Sequence, residues 1–463
     1  MSYRSPAPFI ALLIAASALA AQTAPPASAA ELDSIVRATI VGSDMVGLSV
    51  GVMQAGKVVL AQGYGMASLA PKSAVTPTTM FPIGSVTKQF TCSAALLLAE
   101  DGKLHMTDRV AKYFPALTRA GDITLLDLGQ HVAGYRDYYP LDYVDREMHK
   151  DVTAAAIMQE YATRPLDFDP GTRWSYSNTN FTILGAVVER VSGDALGTFM
   201  TKRIFTPLGM RHTSFDPPTN GAPVATGYSS WALNPPTPAE PEGKGWTGAA
   251  GAIWSTPTDL LAWDLALVSG KALSQASYKL LTTARVLKDG RSTGYGCGES
   301  VNDRGAAIVL SHGGAVSGSV TQNTVLPGLR SAVVLLANSE MSLGPLTRAL
   351  VARLTPQADV PKVAGLTALE AIKGYLAQLA AGKVDRSTLG DDFNAHLTPE
   401  REKAAAASLS RLGAITDVQV TGTRERGGME VAGLRFQAGK VTATGSMYRT
   451  PDGKIQQVLI GRP

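Results

Sequence analysis

Residues 81–88 read Phe81-Pro82-Ile83-Gly84-Ser85-Val86-Thr87-Lys88, and the spacing inside them decides how the chain is read. Ser85 and Lys88 stand three positions apart. Residues at i and i+3 share a face of a helix, so a hydroxyl and an amine lie side by side. Pro82 and Gly84 suit a tight entry, the apolar run from Phe90 to Ala99 reads as the body of the helix, and Asp101-Gly102 is its stop. Cys92, Ala94, Ala95, Leu96, Leu97 and Leu98 leave little polar face. A helix apolar nearly all round is a buried one. A lysine buried at its start, beside a hydroxyl and in the positive field of a helix N-terminus, supplies the parts of an activated serine nucleophile. Taken alone, the pair equally describes an exposed Ser and Lys on a surface helix.

The surrounding chain supports the buried reading. Its 463 residues are 45% hydrophobic and 17% charged, the composition of a globular protein with a sizeable core and two or three domains. The net charge is +4, with Lys and Arg scattered and no basic stripe, which argues against a nucleic-acid partner. Arg4, the apolar run Phe9 to Ala21 and the small residues after it read as an export signal, residues 1–29, with Ala18-Leu19-Ala20 and Ala27-Ser28-Ala29 as cleavage candidates. The run is short for a membrane span, and no stable span is expected after cleavage. The location that follows is periplasmic or secreted. Cys92 and Cys297 could pair in an exported protein, but the apolar setting of Cys92 favours a free thiol packed as a small hydrophobe. The six histidines show no metal spacing, and neither a metal nor a cofactor is implied.

Working outward from the Ser85 helix, Glu31 to Val41 reads as a helix. Leu48 to Met53 and Lys57 to Gln62 read as strands of a hairpin turning at Ala55-Gly56. Residues from Leu104 to Ala249 hold short helices and loops. Among them, Phe181 to Val191 has helical spacing and stops at Ser192-Gly193, and Pro235 to Gly245 is a loop. A helix spans Thr258 to Leu267, and strands return at Ala306 to Leu310, Ser319 to Leu326 and Ser331 to Ala337. Strands at both ends of a helical region predict an α+β fold: one antiparallel sheet made from the N- and C-terminal parts, with helices on both faces. That domain spans residues 31–355. Residues 366–463, with helices at Leu366 to Leu379 and Pro399 to Leu412 and strands from Val418 to Ile460, form a small C-terminal α+β domain without a cluster that reads as chemistry. Its default role is structural or partner-binding.

Two further segments bear on the chemistry: Tyr176-Ser177-Asn178, after the turn Asp169-Pro170-Gly171, and His312-Gly313-Gly314, after the strand ending at Leu310. Ser85-x-x-Lys88, Tyr176-x-Asn178 and His312-x-Gly314, in this order and on these elements, resemble the serine β-lactamase and penicillin-binding group. The likeness is closest to its class C-like branch, which includes DD-peptidases, D-aminopeptidases and β-lactamase-like esterases. It covers about Glu31 to Leu350 and implies a β-lactamase/DD-peptidase-like fold.

The resemblance implies catalytic roles for Ser85, Lys88 and Tyr176 and supporting or substrate-binding roles for Asn178, His312, Gly314 and Ala315. The residues themselves leave two candidate bases: Lys88, if burial lowers its pKa, and Tyr176, if nearby cations such as Lys88 and His312 stabilise a phenolate. A coupled pair is the favoured reading. Asn178 can bond Lys88 and a substrate carbonyl, or cap the Phe181 helix. The oxyanion hole would combine the Ser85 N–H with that of Ala315, which the family pattern places just after the third motif. His131 reads as a structural loop histidine, and Tyr135, Tyr138, Tyr139 and Tyr143 as an aromatic lip over the pocket.

The third motif departs from the Lys-Thr-Gly of β-lactamases and the His-Thr-Gly of some DD-peptidases. Gly313 offers no hydroxyl to a substrate carboxylate. A hydrogen bond to a charged group contributes about 1.5–3 kcal/mol, about ten- to hundredfold in affinity. A histidine with pKa ~6.5 would also change charge near neutrality. The sequence therefore reads as an exported serine hydrolase acting on a small-molecule ester, amide or D-amino-acid peptide. A β-lactamase or DD-carboxypeptidase ranks below it, and a non-hydrolytic cell-wall peptide binder of the same fold is the reading from another class. The sequence sets no oligomeric state.

Overall fold

A computed structural model describes residues 25–461 apart from 44, 142, 231, 233, 304–307 and 356–359. The apolar run of the expected export signal lies outside the described residues. Among those described, no helix is long and apolar enough to cross a membrane. The chain divides after Thr355 into two compact units.

In the first unit the elements that matter here are α1 (Ala29–Ile40), β1 (Gly47–Gln54), β2 (Lys57–Leu69), β3 (Lys72–Ala74), α2 (Thr87–Glu100), α3 (Asn178–Ser192), α4 (Pro257–Val268), β4 (Ser300–Asp303), β5 (Ile308–Val316), β6 (Ser319–Leu326), β7 (Ser331–Ala337) and α5 (Gly344–Leu354). The strands form one sheet in the order β3-β2-β1-β7-β6-β5-β4. Every neighbouring pair is antiparallel, and Val50 of β1 lies opposite both Gln62 of β2 and Leu335 of β7. The β1–β2 turn works because Ala55 and Gly56 both take positive φ, 50° and 80°, the twist that a two-residue hairpin requires.

β7 shows how the core is divided. All of its residues are buried, and side chains alternate between faces of a strand. Ala332, Val334 and Leu336 join the core around α2 and α4, while Val333, Leu335 and Ala337 join the one under α1 and α5. A strand covered on both faces has no need of polar alternation, which is why this segment reads as an unbroken apolar run. α4 starts where its sequence says it should: the Thr256 side chain accepts from the Asp259 N–H, and Pro257 takes the first turn.

The second unit holds α6 (Ala368–Ala380), α7 (Pro399–Leu412) and four antiparallel strands in chain order, β8 (Ile415–Arg426), β9 (Met429–Ala438), β10 (Val441–Arg449) and β11 (Ile455–Gly461). Ile372, Leu376, Leu434, Phe436 and Met447 form its core. A Thr367–Glu370 capping box starts α6.

Four expectations need correction. β2 runs on to Leu69, β5 continues past Leu310 to Val316, and β4 was not anticipated because Ser300–Asp303 carries one apolar residue in four. The fourth is Cys92, which is bonded to Cys297, 205 residues away. The backbone at Gly298 packs so tightly on α2 that a Cβ there would lie 2.6 Å from the Lys88 carbonyl oxygen. That contact brings Cys297 alongside the helix.

Candidate active site

Ser85 lies in a single 3-10 turn, Gly84–Val86, that leads into α2, rather than in the helix itself. Strand β5 presses on this turn backbone to backbone. A Cβ on Gly314 would come within 2.0 Å of the Ile83 carbonyl oxygen, and one on Gly84 within 2.8 Å of the Ala315 nitrogen. Only glycine permits that approach. β4 pairs with β5 over Ile308–Ser311, so from His312 onward the outer edge of β5 is turned to the Ser85 turn. The Ala315 nitrogen therefore faces the turn that carries the Ser85 nitrogen. Two backbone donors facing one point are what an oxyanion needs.

Lys88 is fully buried. Its Nζ lies 3.0 Å from Ser85 Oγ, 2.8 Å from Asn178 Oδ1 and 2.9 Å from the Ala250 carbonyl oxygen. Burial pushes its pKa down to about 7, against the opposing pull of the Asp137 carboxylate. As an ammonium ion, Lys88 donates to all three oxygens. As an amine it keeps two N–H bonds, and Asn178 Oδ1 and the Ala250 carbonyl can only accept. The lone pair is then left for the Ser85 hydroxyl. The acceptor set thus fixes where the nitrogen can take up a proton.

Tyr176 lies close enough to the Ser85 side chain for each to act on the other, and Lys88 Nζ lies 4.8 Å from the centre of the Tyr176 ring. Burial raises the phenol well above its ordinary pKa, so Tyr176 is a neutral O–H donor at neutral pH. Asn178 opens α3, with Ser177 as N-cap, which corrects the expectation that Asn178 caps this helix. Its side chain turns inward instead. Oδ1 accepts from Lys88, and Nδ2 donates to Asp137 Oδ1 at 3.1 Å.

A family model described as Beta-lactamase matches residues 32–354. The chain belongs to the beta-lactamase family. A D-aminopeptidase of Brucella anthropi is 32% identical over 275 residues, 59% of this chain and 52% of that one. The chain thus spans about half the length of the curated relatives it matches. Among solved structures, a D-stereospecific amidohydrolase from Streptomyces sp. has a TM-score of 0.61 at 22% identity, over 71% of this chain and 98% of that one. A class C beta-lactamase has a TM-score of 0.60 at 20% identity, over 71% and 96%. These two share the fold.

Within this beta-lactamase-family site the expected residues meet, but His312 does not have the expected charge. It is 7% exposed. Its Nδ1 lies 2.6 Å from the Gly313 carbonyl oxygen, which can only accept, so Nδ1 carries the proton. Nε2 then accepts from the Tyr295 hydroxyl at 2.8 Å. Burial, and secondarily the charge of Lys88, push His312 down to about 4. It is neutral near pH 7 and supplies no cation to a Tyr176 phenolate, which leaves Lys88 as the favoured base of the two.

His131, read as a structural loop histidine, is fully buried and takes φ 57°. Its ring centre lies 4.3 Å from that of Tyr176, and its Nδ1 accepts from the Ser177 N–H. Desolvation keeps it neutral, and it props the Tyr176 ring from behind. The tyrosine lip is corrected. Tyr135 and Tyr138 are core residues bonded to the carbonyls of Thr118 and Trp246, while Tyr143 is 65% exposed. Trp174, 38% exposed and packed against Tyr176 and Tyr295, forms an outer aromatic edge instead.

The sequence reading missed Asp137 and Tyr295. Asp137 Oδ1 accepts from the backbone N–H of Asn178 as well as from its side chain, so one carboxylate both caps α3 and orients the amide that meets Lys88. A carboxylate at a helix start is a common arrangement, but here it comes from a loop 41 residues upstream. No local spacing announces it.

Proposed function

We propose that this chain is an exported serine hydrolase that cleaves an ester or an amide, D-amino-acid amides and peptides among them, through an acyl-enzyme on Ser85. The observation that carries the reading is the acceptor set around Lys88, which leaves the amine lone pair for the Ser85 hydroxyl. Ser85 Oγ attacks the substrate carbonyl carbon while its proton passes to Lys88 Nζ. The new ammonium ion keeps its bonds to Asn178 and Ala250. Negative charge on the carbonyl oxygen is met by the N–H groups of Ser85 and Ala315. As the tetrahedral adduct collapses, the bond to the leaving group breaks, and the proton held on Lys88 returns to the departing nitrogen or oxygen, with the neutral Tyr176 hydroxyl as the nearest relay. Water then attacks the acyl-enzyme with Lys88 again as base, releasing the acid and free Ser85.

The D-aminopeptidase and D-stereospecific amidohydrolase relatives favour an amide of a D-amino acid. A β-lactamase ranks lower, because a neutral His312 and the bare Gly313 give a substrate carboxylate little to bind. The leader at Arg4 and Phe9 to Ala21 and the Cys92–Cys297 bond support export, since disulfides persist in oxidising compartments.

A fluorophosphonate probe tests the reading. It should add a single phosphonyl group to the wild-type protein and none to Ser85→Ala, and the same substitution should abolish hydrolysis of p-nitrophenyl esters. Absence of both labelling and turnover in the wild type would favour the non-hydrolytic binder. N-terminal sequencing of the material exported by the source cell tests the leader.

A further inference from the structure

The loops around the Ser85 turn carry information that the nucleophile does not. Beyond Ala315, strand β5 ends at Val316, and the next N–H, that of Ser317, donates to Glu242 Oε1 at 3.0 Å. The Tyr139 hydroxyl donates to the same oxygen at 3.0 Å from the opposite side. Tyr139 in turn donates its backbone N–H to Asp137, the carboxylate that orients Asn178. Glu242 therefore ties the end of the strand that bears one oxyanion donor to the loop that sets the Lys88 partner. Ser317 stands two residues past Ala315, ~6.6 Å along a strand, and a carbonyl oxygen seated at Ala315, the α-nitrogen of the same substrate residue and one hydrogen bond together cover about that span. Glu242 is half-buried, and the bonds from Tyr139 and Ser317 both fall on Oε1.

Positive charge beside the nucleophile is small. His312 is neutral, and Lys88 is an amine for part of the time near pH 7. Two fixed carboxylates, Asp137 and Glu242, lie close enough for both to act on the Tyr138 phenol. In a partly desolvated site, such a field attracts a cation and opposes an anion.

We propose that Glu242 is a specificity-determining residue that receives the free α-ammonium group of the substrate's acyl residue, so that the site selects unblocked aminoacyl amides over N-acylated ones. The inference rests on the reading of Ser85 as nucleophile. Glu242 acts on binding and orientation, and no proton or bond changes hands at it.

The test is the ratio of kcat/KM for D-alanine p-nitroanilide to that for N-acetyl-D-alanine p-nitroanilide. In the wild type, the unblocked substrate should lead by about tenfold or more, the scale of one hydrogen bond to a charged group. Glu242→Gln should collapse that ratio toward unity, chiefly through KM for the unblocked substrate. Tyr139→Phe, which keeps the charge and removes one of its two anchors, should lower the ratio by a smaller factor. An unchanged ratio in Glu242→Gln, or a wild type that prefers the blocked substrate, overturns the proposal. Fluorophosphonate labelling of Ser85 is read on the same samples. A changed ratio without Ser85-dependent turnover would sink the nucleophile reading and this inference together, whereas an unchanged ratio with labelling intact sinks the inference alone.

Discussion

Helix α2 carries two buried polar regions, and they are built in opposite ways. At Lys88 every polar atom has a partner: Nζ meets three oxygens, and Asn178 meets Lys88 on one side and Asp137 on the other. One residue further on, Gln89 bonds the Trp263 indole through its oxygen but leaves its amide nitrogen unpartnered. Near it lie Asp264, which accepts from Asn323, and Glu299, which feels the charge of Asp264. Asp264 Oδ2 and both Glu299 oxygens have no partner among the described residues. The first region holds a charge-bearing group in a defined geometry. The second carries less charge than its acids would in water, because burial raises Asp264 to about 7 and Glu299 to about 8. Buried charge needs partners or it disappears, and this molecule uses both outcomes on one helix.

The comparison breaks most readily at Lys88. Lys88→Met removes the proposed base, keeps the apolar stem and should lower kcat/KM for a p-nitrophenyl ester by about 10²–10⁴. A loss below about tenfold would shift the base to Tyr176. In the wild type, kcat/KM should rise with pH through an acid limb near 7, because the amine, not the ammonium ion, takes the serine proton. His312 should add no inflection near its ordinary pKa, since it is neutral down to about pH 4.

Asp137 sharpens the same side. Its charge is the force that holds the Lys88 ammonium against desolvation. Asp137→Asn should therefore move the acid limb to lower pH, and it should reduce kcat by about tenfold as the Asn178 amide loses its charged acceptor. A limb that stays in place would show that Asp137 caps α3 and does nothing to Lys88.

How much of this was legible follows from distance along the chain. Ser85 and Lys88 are three residues apart and Tyr176 and Asn178 two, so each pair is positioned by one short stretch of chain leading into a helix, and the apolar spacing put α2 and α3 nearly where they are found. Asp137 reaches Asn178 across 41 residues and Tyr139 reaches Glu242 across 103, through loops with no period to read. The Cys92–Cys297 bond closes 205 residues, and it depends on close packing at Gly298 against α2 and at Gly129 against both sulfurs. The neutrality of His312 was illegible for another reason. A residue type fixes an ordinary pKa, whereas burial and Lys88, against the Gly313 carbonyl, decide the real one. Strand β4 was hidden in the same way, because tertiary contact, not local propensity, sets it.

The smallest effect expected lies on the unpartnered side and is read in stability. A carboxyl group whose folded pKa is raised binds more protons in the native than in the unfolded state. Between the ordinary carboxylate range and about pH 8, this pair should therefore lose stability as pH rises, and the contribution is fully present only below about pH 4. A tenfold difference in proton affinity is about 1.4 kcal/mol. Glu299→Gln replaces the protonated acid with a neutral group of the same shape. It should leave Tm nearly unchanged at pH 5 and raise it at pH 8.5, where the wild type must either ionise a buried group or hold its proton at a cost. The Ser85 labelling rate should not follow this change, because Glu299 reaches the site only through the α2 backbone. A Glu299→Gln variant that is equally destabilised at both pH values would mean that the carboxylate is ionised and partnered in solution, and the contrast between the two regions would be lost.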